Sequence, residues 1–258
     1  MTVRYEVADG VATLTLCSPE TRNVLTAATM QALREHLTSA ADDDAVRVVV
    51  LTGEGTTFCA GADLAGAAAA DAASFTDSGP AALVAVLEAM LEHPKPIVAR
   101  VQGHVAGGGN GLVAASDIAV AAESARFAFS EVRVGVAPAV ISVVCLAVMR
   151  RRDAQELMLT GERVSADRVH EAGLVTAVAA DDALDAVVRS YVEALLAGGP
   201  QALRATKDLL AHVPGQARGE AFARTAELSA ALFGSDEARE GMTAFLERRP
   251  PSWAPGGD

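Results

Sequence analysis

The chain has 258 residues, 21 lysines and arginines against 33 aspartates and glutamates, a formal charge of −12, and 51% hydrophobic residues. That length allows one large domain or a domain with an appendage, and the recurrence of Val, Leu and Ala excludes a disordered chain. The charge repels phosphate backbones, so nucleic acid is not expected as a partner, and no uncharged stretch reaches the ~18 apolar residues of a membrane span.

In chain order, two alternating segments, Val3 to Val7 and Val11 to Leu16, flank Asp9-Gly10 and predict a hairpin. A helical period runs from Thr26 through Met30, Leu33 and Leu37, ending in the acidic Asp42 to Asp44. Val46 to Leu51 is apolar and β-branched, as in a strand covered on both faces. A glycine loop, Gly53 to Gly61, follows. Ala65 to Pro80, poor in large apolar residues, is expected as a mobile loop or weak helix. The order then repeats: helix Ala81 to Glu92, strand Ile97 to Val101, glycine loop Gly103 to Gly109, a helix start near Leu112, and strand Ile118 to Ala121. Strand, glycine turn and helix, twice over, predict an α/β core. The last third reads as helices Asp182 to Leu196, Gln201 to His212, Gly219 to Phe233 and Glu237 to Glu247, with one short strand, Leu174 to Val178.

The opening MTVRYEVADG shows no apolar signal-peptide core. Cys17, Cys59 and Cys145 are widely spaced and lack any C-x-x-C or His partner, so they are expected as small hydrophobes with reduced thiols in a cytoplasmic protein. No ligand cluster suggests a metal, and no dinucleotide fingerprint suggests a redox cofactor: counting on from Gly107, Leu112 stands where G-x-G-x-x-G needs its third glycine. G-K-[ST] and G-x-S-x-G are also missing, which argues against a phosphate loop and a serine-nucleophile elbow.

The informative features are the two glycine turns, Phe58-Cys59-Ala60-Gly61-Ala62-Asp63-Leu64 and Gly107-Gly108-Gly109-Asn110-Gly111. Each leaves an apolar strand and enters a helix, where main-chain N–H groups are unpaired. Two such groups aimed at one point make an oxyanion hole; spacing alone also allows simple helix–strand packing. Glu131 ends the apolar run Phe127-Ala128-Phe129-Ser130, where burial would raise its pKa toward that of a general acid/base; an ordinary helix-start glutamate is the alternative. His104 is a weaker candidate, and His36, His93, His170 and His212 are expected to face solvent.

With these motifs in place, the sequence resembles the enoyl-CoA hydratase/isomerase (crotonase) family over nearly its whole length. The likeness starts at Pro19-Glu20-Thr21-Arg22-Asn23-Val24-Leu25 and is strongest at Gly103-His104-Val105-Ala106-Gly107-Gly108-Gly109. It extends through Ser124-Ala125-Arg126-Phe127 to Glu131, and more weakly to Ala172-Gly173-Leu174-Val175 and Phe245-Leu246-Glu247-Arg248. The resemblance implies a spiral of ββα units with a C-terminal helical region, divided as a core over 1–196 and a trimerisation region over 197–258. It implies a homotrimer or dimer of trimers that binds an acyl-CoA thioester, coenzyme A being part of the substrate rather than a cofactor. By match to the motifs, Ala62 and Gly108 would donate the oxyanion hydrogens and Glu131 would be the acid/base. Ala60, Ala62, Asp63 and Leu64 would line the coenzyme path with Arg22 beside it, and Gly108 and Gly111 would also belong to the substrate-binding set. Phe245 and Arg248 would meet the adenine and phosphate of a neighbouring subunit's coenzyme, although Arg248 equally fits a solvated tail.

One departure bears on mechanism. Two-carboxylate hydratases of the family carry a glutamate where this chain has Gly111, and the downstream turn, Ala137-Pro138-Ala139-Val140-Ile141-Ser142, is also altered. The expected function is an enoyl-CoA hydratase; a single-glutamate double-bond isomerase and a non-catalytic acyl-CoA-binding protein are the alternatives.

Overall fold

The computed structural model describes residues 2–63 and 72–254, with the backbone alone over 72–78. The predicted hairpin is present as antiparallel β1 (Val3–Ala8) and β2 (Val11–Leu16). Helix α1 (Ala27–Asp42) is N-capped by Thr26, whose hydroxyl accepts the Thr29 N–H, and buries the expected stripe of Met30, Leu33 and Leu37. The stretch expected as a loop or weak helix lies outside the described residues up to position 71; from Ala72 it belongs to helix α2 (Ala72–Leu91).

Two sheets organise the core. The larger contains β3 (Val48–Gly53), β5 (Ile97–Val101), β7 (Ile118–Ala122) and β10 (Ala177–Ala179), in the order β1-β2-β3-β5-β7-β10 and parallel beyond the hairpin. The smaller, β4-β6-β8-β9, is built from three-residue strands: β4 (Thr57–Cys59), β6 (His104–Ala106), β8 (Arg126–Ala128) and β9 (Arg163–Ser165). Both loops expected to be glycine-rich and irregular therefore carry a short strand. The chain crosses from large sheet to small sheet and then into a helix: β3–β4–α2, then β5–β6–α3 (Gly108–Ala114), then β7–β8 and a 3₁₀ turn (Ser130–Val134). In the second repeat the strand end, glycine turn and helix start are contiguous, with Gly107 at the cap of α3.

After the 3₁₀ turn come α4 (Ala139–Val148), α5 (Arg151–Thr160) and α6 (Ala166–Ala172), none of which periodicity revealed. Helices α7 (Leu184–Ala197), α8 (Pro200–His212), α9 (Arg218–Phe233) and α10 (Asp236–Glu247) follow the predicted segments closely. The buried hydrophobic cluster draws, among the described residues, on positions from Val3 to Leu196 and on none beyond. Among the described residues after 197, Ala244 is the buried hydrophobe, while Phe222, Phe233, Phe245 and Leu246 are at least 70% exposed.

His93 corrects an expectation. Predicted at the surface, it is buried, with Nδ1 against the Lys95 carbonyl and Nε2 against that of Leu37, and burial lowers its pKa. His170 and His212 are exposed, whereas His36 is partly covered by stacking on Tyr5. Cys59 and Cys145 are buried, with thiols pushed up to about 12, chiefly by that burial; Cys17 is half-buried.

Candidate active site

The two glycine turns touch. At Gly61 (φ +86°), an added Cβ would lie 2.7 Å from the Ala106 carbonyl oxygen, 3.1 Å from the Gly108 nitrogen and 3.2 Å from Gly107 Cα. No side chain fits between them, and the left-handed backbone disfavours any residue that carries one. At Gly107 (φ +50°), the same construction ends 3.6 Å from Gly61 Cα and 3.5 Å from Glu131 Oε1. Gly107 therefore stands between the first turn and the Glu131 carboxyl, and the three motifs meet at one place. Neither the Ala62 nor the Gly108 N–H is among the turn and cap hydrogen bonds formed within the described residues. Among the described residues, both donors are therefore without a turn or cap partner.

The first turn is moored from the N-terminal side. Ala60 N–H donates to the Arg22 carbonyl at 3.0 Å and Leu25 N–H to the Gly61 carbonyl at 2.8 Å. Between these two, Asn23 is buried; its Oδ1 accepts the Ser18 N–H, and its Nδ2 donates to the carbonyls of Glu54 and Thr57. Arg22 and Asn23 both adopt left-handed φ, 60° and 55°, which this bonding holds in place. The segment 19–25 thus acts as a strap across the turn. The Asn23 contribution was missed from sequence, although its signal was present: asparagine is the residue, after glycine, most at home in that conformation.

Glu131 enters on the 3₁₀ turn that follows β8. It is half-buried, its Oε2 is shielded from solvent with no hydrogen-bond partner, and burial raises its pKa against a smaller opposing contribution from its own N–H. Its charge also helps raise the Cys145 thiol from α4. A half-buried carboxyl with one oxygen unpartnered among the described residues is equipped to take up and return a proton.

The position where the family's second glutamate would stand is closed. A Cβ on Gly111 would lie 2.7 Å from Ile141 Cγ2 and 3.6 Å from Leu87 Cδ1, and both of those side chains are buried. The altered turn at Ala137–Ser142 starts α4 and drives Ile141 into the space that position 111 leaves free. The two departures noted in the sequence are thus in contact.

The remaining candidates fall into two groups. Ala60, Ala62 and Asp63 belong to the first turn, and Arg22 is joined to it through its carbonyl, with its own residue exposed; Leu64 lies outside the described residues. Phe245 and Arg248 stand apart on α10, both exposed, with Arg248 in the left-handed position that ends the helix. His104 is exposed on β6. Among the described residues, no group of three or more His, Cys, Asp or Glu is arranged to hold a metal ion, and no helix is long and apolar enough to cross a membrane.

Two stacked repeats that abut through glycines, with a desolvated glutamate against the seam, define the class to which the chain compares. The sequence pattern of the enoyl-CoA hydratase/isomerase family matches residues 6–256. A 2,3-dehydroadipyl-CoA hydratase of Escherichia coli is 33% identical, the match covering 93% of this chain and 93% of that one. The enoyl-CoA hydratase EchA19 of Mycobacterium tuberculosis is 32% identical over 93% of this chain and 91% of its own. A crystal structure of an enoyl-CoA hydratase from Mycobacterium smegmatis superposes with a TM-score of 0.93 at 35% identity, covering 98% of this chain and 99% of that one. The chain belongs to the enoyl-CoA hydratase/isomerase family and has the crotonase fold.

Proposed function

We propose that this protein is an enoyl-CoA hydratase that adds water to a 2-enoyl-CoA thioester, with Glu131 as its proton carrier. The observation that carries the reading is the half-buried Glu131 carboxyl, its Oε2 without a partner among the described residues, at the seam of two turns whose Ala62 and Gly108 N–H groups have no turn or cap partner among those residues either. The names of the E. coli and M. tuberculosis relatives support the hydratase choice. In the proposed step, the Glu131 carboxylate takes a proton from water as the water oxygen bonds to the β-carbon. The double-bond electrons move onto the thioester oxygen, where the two N–H groups stabilise the enolate; each such donor is worth ~10²–10³ in rate. Collapse of the enolate draws the proton from Glu131 onto the α-carbon and restores the carboxylate. The water supplies both added groups, and the step calls for neither a metal nor a redox cofactor.

Arg22, Ala60, Asp63 and Leu64 are assigned to the coenzyme path, and Gly111 to the acyl side, where Ile141 and Leu87 form an apolar wall. We assign residues 197–258 to assembly of a homotrimer or dimer of trimers, the reading favoured by the exposed Phe222, Phe233, Phe245 and Leu246. Phe245 and Arg248 would then serve a neighbouring subunit's coenzyme. A cytoplasmic location suits the buried thiols, and the charge of −12 disfavours nucleic acid.

Double-bond isomerisation is the second reading, favoured by the closed space at Gly111: moving one proton between two carbons needs one carboxylate. A panel of 2-enoyl- and 3-enoyl-CoA thioesters followed by ultraviolet absorbance separates the two, since a hydratase consumes the 2-enoyl chromophore and an isomerase creates it. Rising absorbance with 3-enoyl-CoA and none lost with 2-enoyl-CoA would replace the hydratase reading. No turnover of either would leave an acyl-CoA-binding protein. Sedimentation at the mass of one chain would remove the proposed assembly.

A further inference from the structure

Asn110 follows the glycine triplet directly and is fully buried, at 0% exposure, in the first turn of α3. Its Nδ2 donates to the Ala128 carbonyl at 2.9 Å, and the same carbonyl receives the Gly107 N–H at 3.3 Å. Ala128 is the last residue of β8, and Glu131 lies three residues further on. A single carbonyl oxygen thus ties the turn that carries Gly108 to the strand end that delivers the carboxyl. The Asn110 carbonyl is in turn met by the Cys145 thiol of α4 at 3.8 Å. The amide therefore sits where α3, β8 and α4 come together around Glu131.

The other half of the Asn110 amide makes no compensating bond: Oδ1 is buried and has no partner among the described residues. A buried acceptor left unpaired lowers stability, and an aliphatic side chain would avoid that loss. An asparagine held here at such a cost is better explained by what its Nδ2 fixes than by packing.

We propose that Asn110 is a positioning residue for Glu131, setting the distance between the carboxyl and the Gly108 N–H by clamping the end of β8 through the Ala128 carbonyl. The inference rests on the reading of Glu131 as proton carrier. It adds that the registry of carboxyl and oxyanion donor is held by a side chain outside the reacting set. In a site of this kind a displacement of about 1 Å costs ~10²-fold in rate.

The test compares Asn110→Ala with the unaltered protein on 2-enoyl-CoA. Asn110→Ala is expected to lower kcat by roughly 10–100-fold while KM stays within about threefold, because coenzyme contacts are untouched. A second readout needs no substrate: ¹³C NMR of glutamate carboxyls, with the Glu131 signal assigned by its loss in Glu131→Gln. Water admitted by the shortened side chain should move the Glu131 titration down toward the ordinary carboxylate range. An unchanged kcat together with an unchanged Glu131 titration would overturn the proposal and leave Asn110 a packing residue. If the unaltered protein turns over no enoyl-CoA, the functional reading fails on its own, and the carboxyl titration still decides the role of Asn110. Should Asn110→Ala fail to fold, Asn110→Leu carries the same kcat expectation, since it fills nearly the same volume and has no donor for the Ala128 carbonyl.

Discussion

Two carboxyl groups in different regions of the molecule receive opposite treatment. Asp117, ahead of β7, accepts the Ile97 N–H at 2.7 Å and the Lys207 ammonium at 2.7 Å. Lys207 comes from α8 and also reaches the Met90 carbonyl at 3.3 Å, so this carboxylate pins the first helix beyond residue 197 onto the base of the large sheet. Glu131, on the 3₁₀ turn after β8, has a shielded oxygen with no partner among the described residues. The comparison separates fastening from chemistry: a satisfied carboxylate stabilises the fold and has no proton to trade, whereas an unsatisfied one destabilises the fold and stays reactive.

The contrast is broken most sharply at Glu131. Glu131→Gln should lower turnover by ~10²–10⁴, the usual share of a positioned acid/base, while acyl-CoA binding measured by calorimetry persists. Full retained activity would take Glu131 out of the mechanism. At the other carboxylate, Lys207→Met should cost about 2–3 kcal/mol in denaturant unfolding, less than the ~3–5 of a fully buried pair because Asp117 keeps 30% of its side-chain surface exposed. Its kcat should be unchanged, and a loss of kcat without a loss of stability would contradict the division of labour. Burial already pulls the Lys207 pKa down against the opposing effect of Asp117, so the lysine is held there by its bonds.

The closed space at Gly111 sharpens the comparison further, since it decides whether a second carboxyl can stand near the first. Gly111→Glu should destabilise the fold by ~1–3 kcal/mol through overpacking against Ile141, and combining it with Ile141→Ala should recover a good part of that loss. Strictly additive effects in thermal unfolding would show that the two positions do not compete for the same volume. The smallest effect is a pH dependence. The folded-state pKa of Glu131 is raised above that of the unfolded chain, so its contribution to stability is fully present below about pH 4.3 and is lost as pH rises through the raised value. Glu131→Gln should therefore be more stable than the unaltered protein at pH 7, with the difference closing toward pH 4; a gap independent of pH would contradict the desolvation account.

What the sequence disclosed follows from the length scale of each signal. The hairpin, the strands β3, β5 and β7 of the large sheet and the C-terminal helices were readable because alternation, an apolar run or a 3.6-residue period extends over five or more residues, whereas the strand expected at Leu174 to Val178 is the three-residue β10, Ala177–Ala179. The strands of the small sheet have three residues each, too few for any period, and β6 lies inside what reads as a glycine loop. Helix α4 was hidden because Ala139–Val148 is apolar nearly throughout and offers no polar face to mark a turn of helix. In the site, the glycine turns and Glu131 were visible as motifs, and the missing glutamate was visible at Gly111. Ile141 was not legible as the reason, because its relation to Gly111 exists only across the α3–α4 contact, thirty positions away in the chain. Asn23 was passed over, and the bond from Asn110 to Ala128 was not legible, for a similar cause: both side chains act on main-chain atoms of distant segments.

The meeting of the two turns has a consequence for how the catalyst can be dissected. The groups assigned to the thioester oxygen are hydrogens of the peptide backbone, so no conventional exchange of one residue for another deletes them without also moving the chain. Replacing the amide nitrogen of Ala62 or Gly108 by oxygen, an ester in place of a peptide bond introduced by semisynthesis, would remove one hydrogen while leaving every side chain in the molecule as it is.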